Sequence, residues 1–232
     1  MKFFFIMKIS DIYKKFLKSP NISTDSRAIK KNSLFFALKG KNFNGNEYAK
    51  EALKKGAKFA IIDEVKHKLD ENYLLVNNVL KTLQDLASYH RNHLKIPIIG
   101  ITGSNGKTTS KELITSCLSS ELNTAYTKGN YNNHIGVPLT LLEITDKHEI
   151  GIIEMGANHQ GEIKFLCEIA KPNYGVITNI GKAHLEGFKN FEGVKKTKKE
   201  LYDYMKKTEG QIFINSDDDI LLDISQGIKS IR

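Results

Sequence analysis

The stretch Ile98-Ile99-Gly100-Ile101-Thr102-Gly103-Ser104-Asn105-Gly106-Lys107-Thr108-Thr109 runs from an apolar strand pattern through a glycine-bracketed turn into a helix start. Gly103 and Gly106 free the backbone so that its N–H groups can point into one cavity. The helix beyond presents its positive dipole end to the same anion. Lys107 adds a mobile positive charge and Thr108 a hydroxyl suited to Mg2+. The general phosphate-loop pattern G-x-x-x-x-G-K-[ST] calls for glycine at position 101, where this chain has Ile101, so the loop is a shortened variant that begins at Gly103. An ordinary turn before a helix would not need the Lys-Thr pair; strand, turn, pair and helix in this order point to nucleotide phosphate.

Downstream, residues 150–155, 174–179 and 211–215 read as strands, and residues 107–121, 161–170 and 191–207 as helices. Short apolar strands alternating with helices predict an α/β fold with a mostly parallel sheet covered on both faces, whose ligands gather at the carboxyl ends of the strands. Upstream, residues 33–38 and 58–63 read as strands. Residues 46–55 read as a helix with Asn46 as N-cap, Ala49, Ala52 and Leu53 on its inner stripe and Gly56 as its stop. A second helix, 79–92, carries Leu80, Leu83, Leu86 and Ala87 at helical spacing. Lys95-Ile96-Pro97 breaks that pattern, which divides the chain into a small α/β domain, 1–94, and a phosphate-loop domain, 95–232.

Several residues fall near the sheet edge that this fold implies. Glu154 closes strand 150–155, where a carboxylate can hold Mg2+ or its waters, or else cap a helix or face solvent. His184 lies in a glycine-flanked loop after strand 174–179, a place for a metal ligand or for a plain surface residue. Residues 128–138 form a polar loop rich in amides, Asn133 among them, able to contact a polar substrate or simply to turn the chain. Glu162 reads as a helix-start charge. Lys195, Lys196, Lys198 and Lys199 read on their own as a solvated helix face.

Composition narrows the function classes. The 232 residues are 40% hydrophobic, ordinary for a folded globular chain, and the net charge is +9. Of 35 basic residues only Arg27, Arg91 and Arg232 are arginines, so the charge suits a lysine-rich surface and small anionic substrates better than base reading in nucleic acid. Cys117 and Cys167 lack metal-site spacing and read as buried, reduced thiols. The apolar run after Lys2 ends at Lys8, shorter than the about 7 to 15 residues of a signal-peptide core, and Met7 is a second candidate start. No stretch approaches the roughly 20 apolar residues of a membrane span. These readings describe a cytoplasmic protein.

Taken together and in order, Thr102 to Thr109, Gly129-Asn130-Tyr131-Asn132-Asn133-His134-Ile135-Gly136-Val137-Pro138, Glu154-Met155-Gly156-Ala157-Asn158-His159-Gln160-Gly161-Glu162-Ile163 and the loop around His184 resemble the Mur ligase family of peptidoglycan synthesis. Asp25-Ser26-Arg27 and Leu34-Phe35-Phe36-Ala37-Leu38-Lys39-Gly40 extend the resemblance into the first domain. It is strongest toward the branch that joins D-alanyl-D-alanine to UDP-N-acetylmuramoyl-tripeptide. The resemblance implies a monomeric, ATP-dependent amide ligase in which the tripeptide carboxylate takes the γ-phosphoryl group and the dipeptide amine attacks the resulting acyl phosphate.

The resemblance also implies residue roles. Gly103, Ser104, Asn105, Gly106 and Thr109 would cradle the nucleotide, and Lys107 would hold its β and γ phosphates. Thr108 and Glu154 would bind one Mg2+, and His184 a second, helped by a carbamylated Lys198. Ser26 and Arg27 would serve the UDP end in domain 1–94, and Asn133 would contact substrate. Family members carry a third domain that receives the dipeptide amine. This chain would be a fragment without it, able to bind phosphate but not to complete ligation. Rival readings are a ligase for a single amino acid, a folate polyglutamate synthase and a polymer-stimulated ATPase; the Asn132-Asn133 loop and the 154–163 run disfavour the first two, and the scarcity of arginine the third.

Overall fold

The computed structural model describes residues 6–181, 188 and 190–231. The chain divides into two units, Met1–His90 and Arg91–Arg232. In the first, helix α1 (Ile9–Lys18) precedes strands β1 (Asn21–Ser23) and β2 (Ser33–Phe36), a small hairpin of β3 (Lys39–Gly40) and β4 (Phe43–Asn44), helix α2 (Ala49–Lys54), strands β5 (Phe59–Ile62) and β6 (Tyr73–Leu75), and helix α3 (Val79–His93), which runs into the second unit. The sheet has the order β1-β2-β5-β6 and is parallel throughout. Ala49 and Ala52 of α2 lie in one cluster with Phe35, Ala60 and Ile62, because small helix residues let α2 sit close to the sheet.

The expected helix 46–55 opens differently. Residues Gly45–Tyr48 form a 3-10 turn, and Asn44, not Asn46, supplies the cap, accepting from the Asn46 N–H at 3.1 Å. The Asn46 side chain is buried instead beneath the end of β5. Its Oδ1 accepts from the N–H groups of Asp63 and Glu64, and its Nδ2 donates to Asp63 Oδ1 and Asn44 Oδ1. Gly56, with φ of 108°, ends α2 as expected.

The second unit holds β7 (Ile98–Thr102), α4 (Lys107–Leu118), β8 (Thr124–Tyr126), α5 (Gly136–Leu142), β9 (Ile150–Glu154), α6 (Glu162–Ala170), β10 (Tyr174–Ile177), α7 (Phe191–Lys207), β11 (Gln211–Phe213), α8 (Asp219–Ile224) and β12 (Lys229–Ile231). Its sheet runs β12-β11-β10-β7-β9-β8, all parallel. Every residue of β7 and β9 is buried, as a sheet covered on both faces requires. After β7 the chain lays β8 at one edge and returns to place β9 between β8 and β7, then crosses to the other side as β10, β11 and β12. The strand order therefore reverses at β7, and the crevice beyond its carboxyl end, between the ends of β9 and β10, is the switch point where such sheets bind ligands.

Arg91 anchors this unit. Buried, it donates to the carbonyls of Leu94, Ile96, Ala170 and Lys171 and to Asn173 Oδ1, while Asn173 Oδ1 also accepts from the N–H of Ile98 at the start of β7. One of the chain's three arginines is thus spent on backbone oxygens. Two further expectations change. Residues 136–138 open helix α5 and are not loop, since Pro138 in a first turn needs no N–H partner. Cys167 is buried, but Cys117 is exposed on α4. Among the described residues no helix is long and apolar enough to cross a membrane.

Candidate functional site

The phosphate loop leaves β7 at Gly103, whose φ of 152° suits glycine, and a Cβ there would lie 2.0 Å from Thr178 Oγ1. Gly106, at φ 74°, turns the chain into α4. The loop is clasped to the end of β10: the Ser104 N–H donates to the Asn179 carbonyl at 3.0 Å and the Asn105 N–H to Asn179 Oδ1 at 3.1 Å. In return Thr178 Oγ1 and Asn179 Nδ2 donate to the Asn105 carbonyl at 2.6 and 3.0 Å, and the Gly181 N–H donates to Ser104 Oγ at 2.9 Å. The amides of Ser104 and Asn105 are therefore engaged within the protein, contrary to the expectation that the glycines free them for an anion. The N–H groups left available to an anion are those of Lys107, Thr108 and Thr109. These precede the first intrahelical bond, from the Ser110 N–H to the Gly106 carbonyl, and point out of the helix start.

Glu154, the last residue of β9, is 1% exposed. Thr108 Oγ1 donates to its Oε2 at 3.0 Å and Asn132 Nδ2 to its Oε1 at 2.8 Å, so both carboxylate oxygens meet neutral partners only. Two oxygens sharing an edge of a Mg2+ octahedron, each about 2.0–2.1 Å from the ion, lie about 2.9 Å apart. The Thr108–Glu154 spacing of 3.0 Å matches that edge, so these two residues could hold a Mg2+ ion.

Lys107 Nζ folds back on the carbonyls of Gly103 and Ser104 at 2.9 and 3.2 Å. Burial lowers its pKa, and the charge of Glu154 pulls partly the other way. Lys198, on α7, is 2% exposed, with Nζ 5.7 Å from the centre of the Phe188 ring. Burial first, and then the charge of Lys107, push its pKa down to about 8, against an opposing pull from Glu200 and Glu162. Lys198 thus departs from the solvated face expected of its cluster. Its neighbours do not: Lys196 is exposed, Lys195 pairs with Asp223 and Lys199 with Asp203.

Lys107, Thr108, Glu154 and Lys198 are therefore brought to one end of one sheet. His184 lies outside the described residues. Among the described residues no group of three His, Cys, Asp or Glu side chains could hold a metal. Asn133 Oδ1 accepts from the N–H groups of Ile135 and Gly136 at the start of α5. Its neighbour Asn132 is the amide of this loop that reaches Glu154. Glu162 behaves as expected, accepting from the N–H groups of Asn158 and His159.

In the first unit, Ser26 and Arg27 occupy an exposed turn after β1. The Arg27 guanidinium forks onto Asp25 through Nε at 2.9 Å and a terminal nitrogen at 2.7 Å, holding the Asp25 carboxyl down at about 2. The Ser26 carbonyl accepts from Lys55 Nζ.

Comparison with known proteins agrees with this architecture. Residues 101–231 match the Mur ligase middle domain, and residues 19–91 match the model described as Mur ligase family, catalytic domain. The chain is 40% identical over 200 residues to the UDP-N-acetylmuramoyl-tripeptide--D-alanyl-D-alanine ligase of Haemophilus influenzae, covering 84% of this chain and 44% of that protein. It is likewise 40% identical over 208 residues to the ligase of that name from Synechocystis, covering 89% and 46%. Among solved structures it resembles MurF from Acinetobacter baumannii (TM-score 0.81, 34% identity, 90% of this chain and 47% of that one). It also resembles MurF ligase from Thermotoga maritima in complex with ADP (TM-score 0.82, 32% identity, 93% and 50%). The chain thus spans less than half the length of the curated relatives it matches. With one matching model over more than half of its residues and a second over most of the remainder, the chain belongs to the Mur ligase family.

Proposed function

We propose that this chain carries the nucleotide-binding and UDP-substrate-binding parts of an ATP-dependent ligase that joins D-alanyl-D-alanine to UDP-N-acetylmuramoyl-tripeptide. The observation that carries this reading is the buried Glu154 carboxylate bonded to the exposed Thr108 hydroxyl at the switch point, flanked by two lysines that have no carboxylate partner within ion-pair distance among the described residues. Such a site suits a polyanion and a divalent cation together, and MgATP supplies both. Mg2+, when bound, contributes charge neutralisation on the phosphates.

In this reading the N–H groups at the start of α4 and Lys107 hold the β and γ phosphates in line with the attacking carboxylate of the tripeptide, and Thr108 and Glu154 hold the ion. Attack on the γ-phosphorus releases ADP and leaves an acyl phosphate; the dipeptide amine then attacks the acyl carbon and phosphate departs. Stabilising charge on the transferring group is the main resource for this chemistry. His184 is proposed as a ligand of a second Mg2+, and Ser26 and Arg27 as contacts of the UDP end.

Lys198 suits carbamylation. With its pKa near 8, Lys198 is mostly protonated at physiological pH but has a far larger neutral fraction than an ordinary lysine, and in that form the nitrogen lone pair can bond to the carbon of CO2 while an N–H proton leaves to solvent. The product is an anion, so a cation–cation repulsion with Lys107 becomes an attraction, and the carbamate would offer an oxygen ligand to the proposed second Mg2+. After equilibration with 13C-bicarbonate, wild type is expected to show a carbamate carbonyl resonance that is missing from Lys198→Met.

Isothermal titration of the chain with ATP and Mg2+, and separately with UDP-N-acetylmuramoyl-tripeptide, tests the binding half of the proposal. Saturable binding of both is expected, and no binding of nucleotide would reject it. The amine is tested on ATP turnover by the full-length protein, where stimulation by a single amino acid in place of D-alanyl-D-alanine would reject the substrate assignment.

A further inference from the structure

Helix α4 also carries a fully buried lysine that this mechanism does not use. Lys111 is 0% exposed. Its Nζ donates to the Thr127 carbonyl at 2.7 Å, pairs with Glu112 at 2.8 Å and lies 6.0 Å from the Tyr126 ring centre. An ammonium taken out of water is costly, and an apolar side chain of similar volume would pack α4 against the sheet at lower cost. What distinguishes Lys111 is the residue it holds.

Thr127 follows β8 and is stitched to β9 on two sides: its N–H donates to the Ile152 carbonyl at 3.0 Å, and its Oγ1 accepts from the Glu154 N–H at 3.0 Å. Lys111 stands three residues beyond Thr108 on the same helix, on a neighbouring part of its surface. A continuous chain of short bonds therefore runs from the helix bearing Thr108, through Lys111 Nζ and Thr127, to the backbone of Glu154. It closes on the other side through the 3.0 Å contact between Thr108 and Glu154.

We propose that Lys111 is a positioning residue: by strapping α4 to Thr127 it sets the separation of Thr108 and Glu154, and so tunes the affinity for the divalent cation that accompanies the nucleotide. It touches neither nucleotide nor metal. The inference rests on the nucleotide site proposed above, and it separates two quantities that a general packing role would move together. Phosphate contacts come from Lys107 and the α4 N–H groups, which Lys111 leaves alone, whereas the paired oxygen ligands depend on the strap.

The test measures ADP affinity of the chain in excess EDTA and in saturating Mg2+, for wild type, Lys111→Met, Thr127→Val and the double variant. Thr127→Val keeps the carbonyl that Lys111 needs and removes only the hydroxyl beneath the Glu154 amide, so it probes the strap even where Lys111→Met does not fold. Supporting partners behind metal ligands are worth about 10–100-fold. Each single variant is accordingly expected to lose about tenfold of the affinity gained with Mg2+ while the affinity in EDTA stays at the wild-type value. The double variant should lose little more than either single one, because both cut one path. An unchanged magnesium gain, or equal losses with and without the metal, would overturn the proposal. Absence of ADP binding by wild type would instead remove the nucleotide site itself, and the inference with it.

Discussion

At the carboxyl end of β5, Asp63 and Glu64 sit among groups that answer their charge. Lys39 Nζ lies 2.8 Å from Asp63 Oδ1 and 3.0 Å from Glu64 Oε1, Asn44 donates to Glu64, and Asn46 binds side chain and backbone together. Lys39 first, and then Lys66, hold the Glu64 carboxyl at about 2. At the carboxyl end of β9, in the other unit, Glu154 meets only a hydroxyl and an amide, while the half-buried Lys107 and the buried Lys198 keep lowered pKa values. Both places are ends of parallel strands carrying acid and lysine. One has its charges matched inside the protein and therefore holds the fold together; the other holds them apart, at a cost in stability that a charged ligand can repay.

The largest expected effect comes from cutting the unmatched side. Lys107→Ala should weaken ATP binding about 100-fold, as loss of a charged hydrogen-bond partner to phosphate implies. Its melting temperature should not fall, because a desolvated cation is removed. Lys39→Ala should do the reverse, lowering thermal stability and leaving ATP affinity alone. Titration calorimetry and thermal melts of the two variants give the answer, and a Lys107→Ala protein that binds ATP normally would erase the contrast.

Lys198 gives the same contrast a pH dependence. Its folded-state pKa of about 8 lies below the ordinary 10.5, so between these values the unfolded chain binds the extra proton and stability rises with pH. Below about pH 8 both states are protonated and the penalty is fully present. In CO2-free buffer Lys198→Met is therefore expected to melt above wild type at pH 7, with the gap closing as pH climbs from 8 toward 10.5. A gap that is constant with pH would mean that packing, not charge, sets the difference.

On the matched side, Asn46→Ala leaves the N–H groups of Asp63 and Glu64 without their acceptor and should cost about 1–3 kcal/mol in chemical denaturation, with no change in ATP affinity. Asn46 also shows where sequence reading stops. A polar residue before an alanine stripe looks like a cap, and only the fold reveals that Asn44 takes that place while Asn46 turns inward. The parallel sheet of the second unit was legible, because β7 and β9 are unbroken apolar runs and Gly103 and Gly106 punctuate the loop between β7 and α4. β6 was not, being three residues long, nor was α5, which hides behind Gly136 and Pro138. Asn132 and Asn133 are adjacent amides of equal chemistry, and sequence cannot say which one reaches Glu154. Lys198 left a usable signal: Val194, Lys198, Leu201 and Met205 recur at helical spacing, so the lysine interrupts an otherwise apolar buried face.

The smallest expected effect tests where Arg27 belongs. Its fork onto Asp25 is matched like the Lys39 cluster, yet Arg27 is exposed, and water can replace either partner at little cost. The low carboxyl pKa fixes the sign. Whatever the pair contributes is present above the ordinary aspartate value of 3.8 and is lost as pH falls through about 2. At neutral pH Arg27→Ala should therefore shift the melting temperature very little, and toward pH 2 the shift should vanish. If Arg27 serves the UDP end of the substrate, the same variant should still lose affinity for UDP-N-acetylmuramoyl-tripeptide, because Asp25 then acts as a holder that keeps the guanidinium spread for a phosphate or uracil partner. An affinity that matches wild type would place Arg27 with Lys39 and Asn46, among the residues whose charges and hydrogen bonds are already answered within the fold.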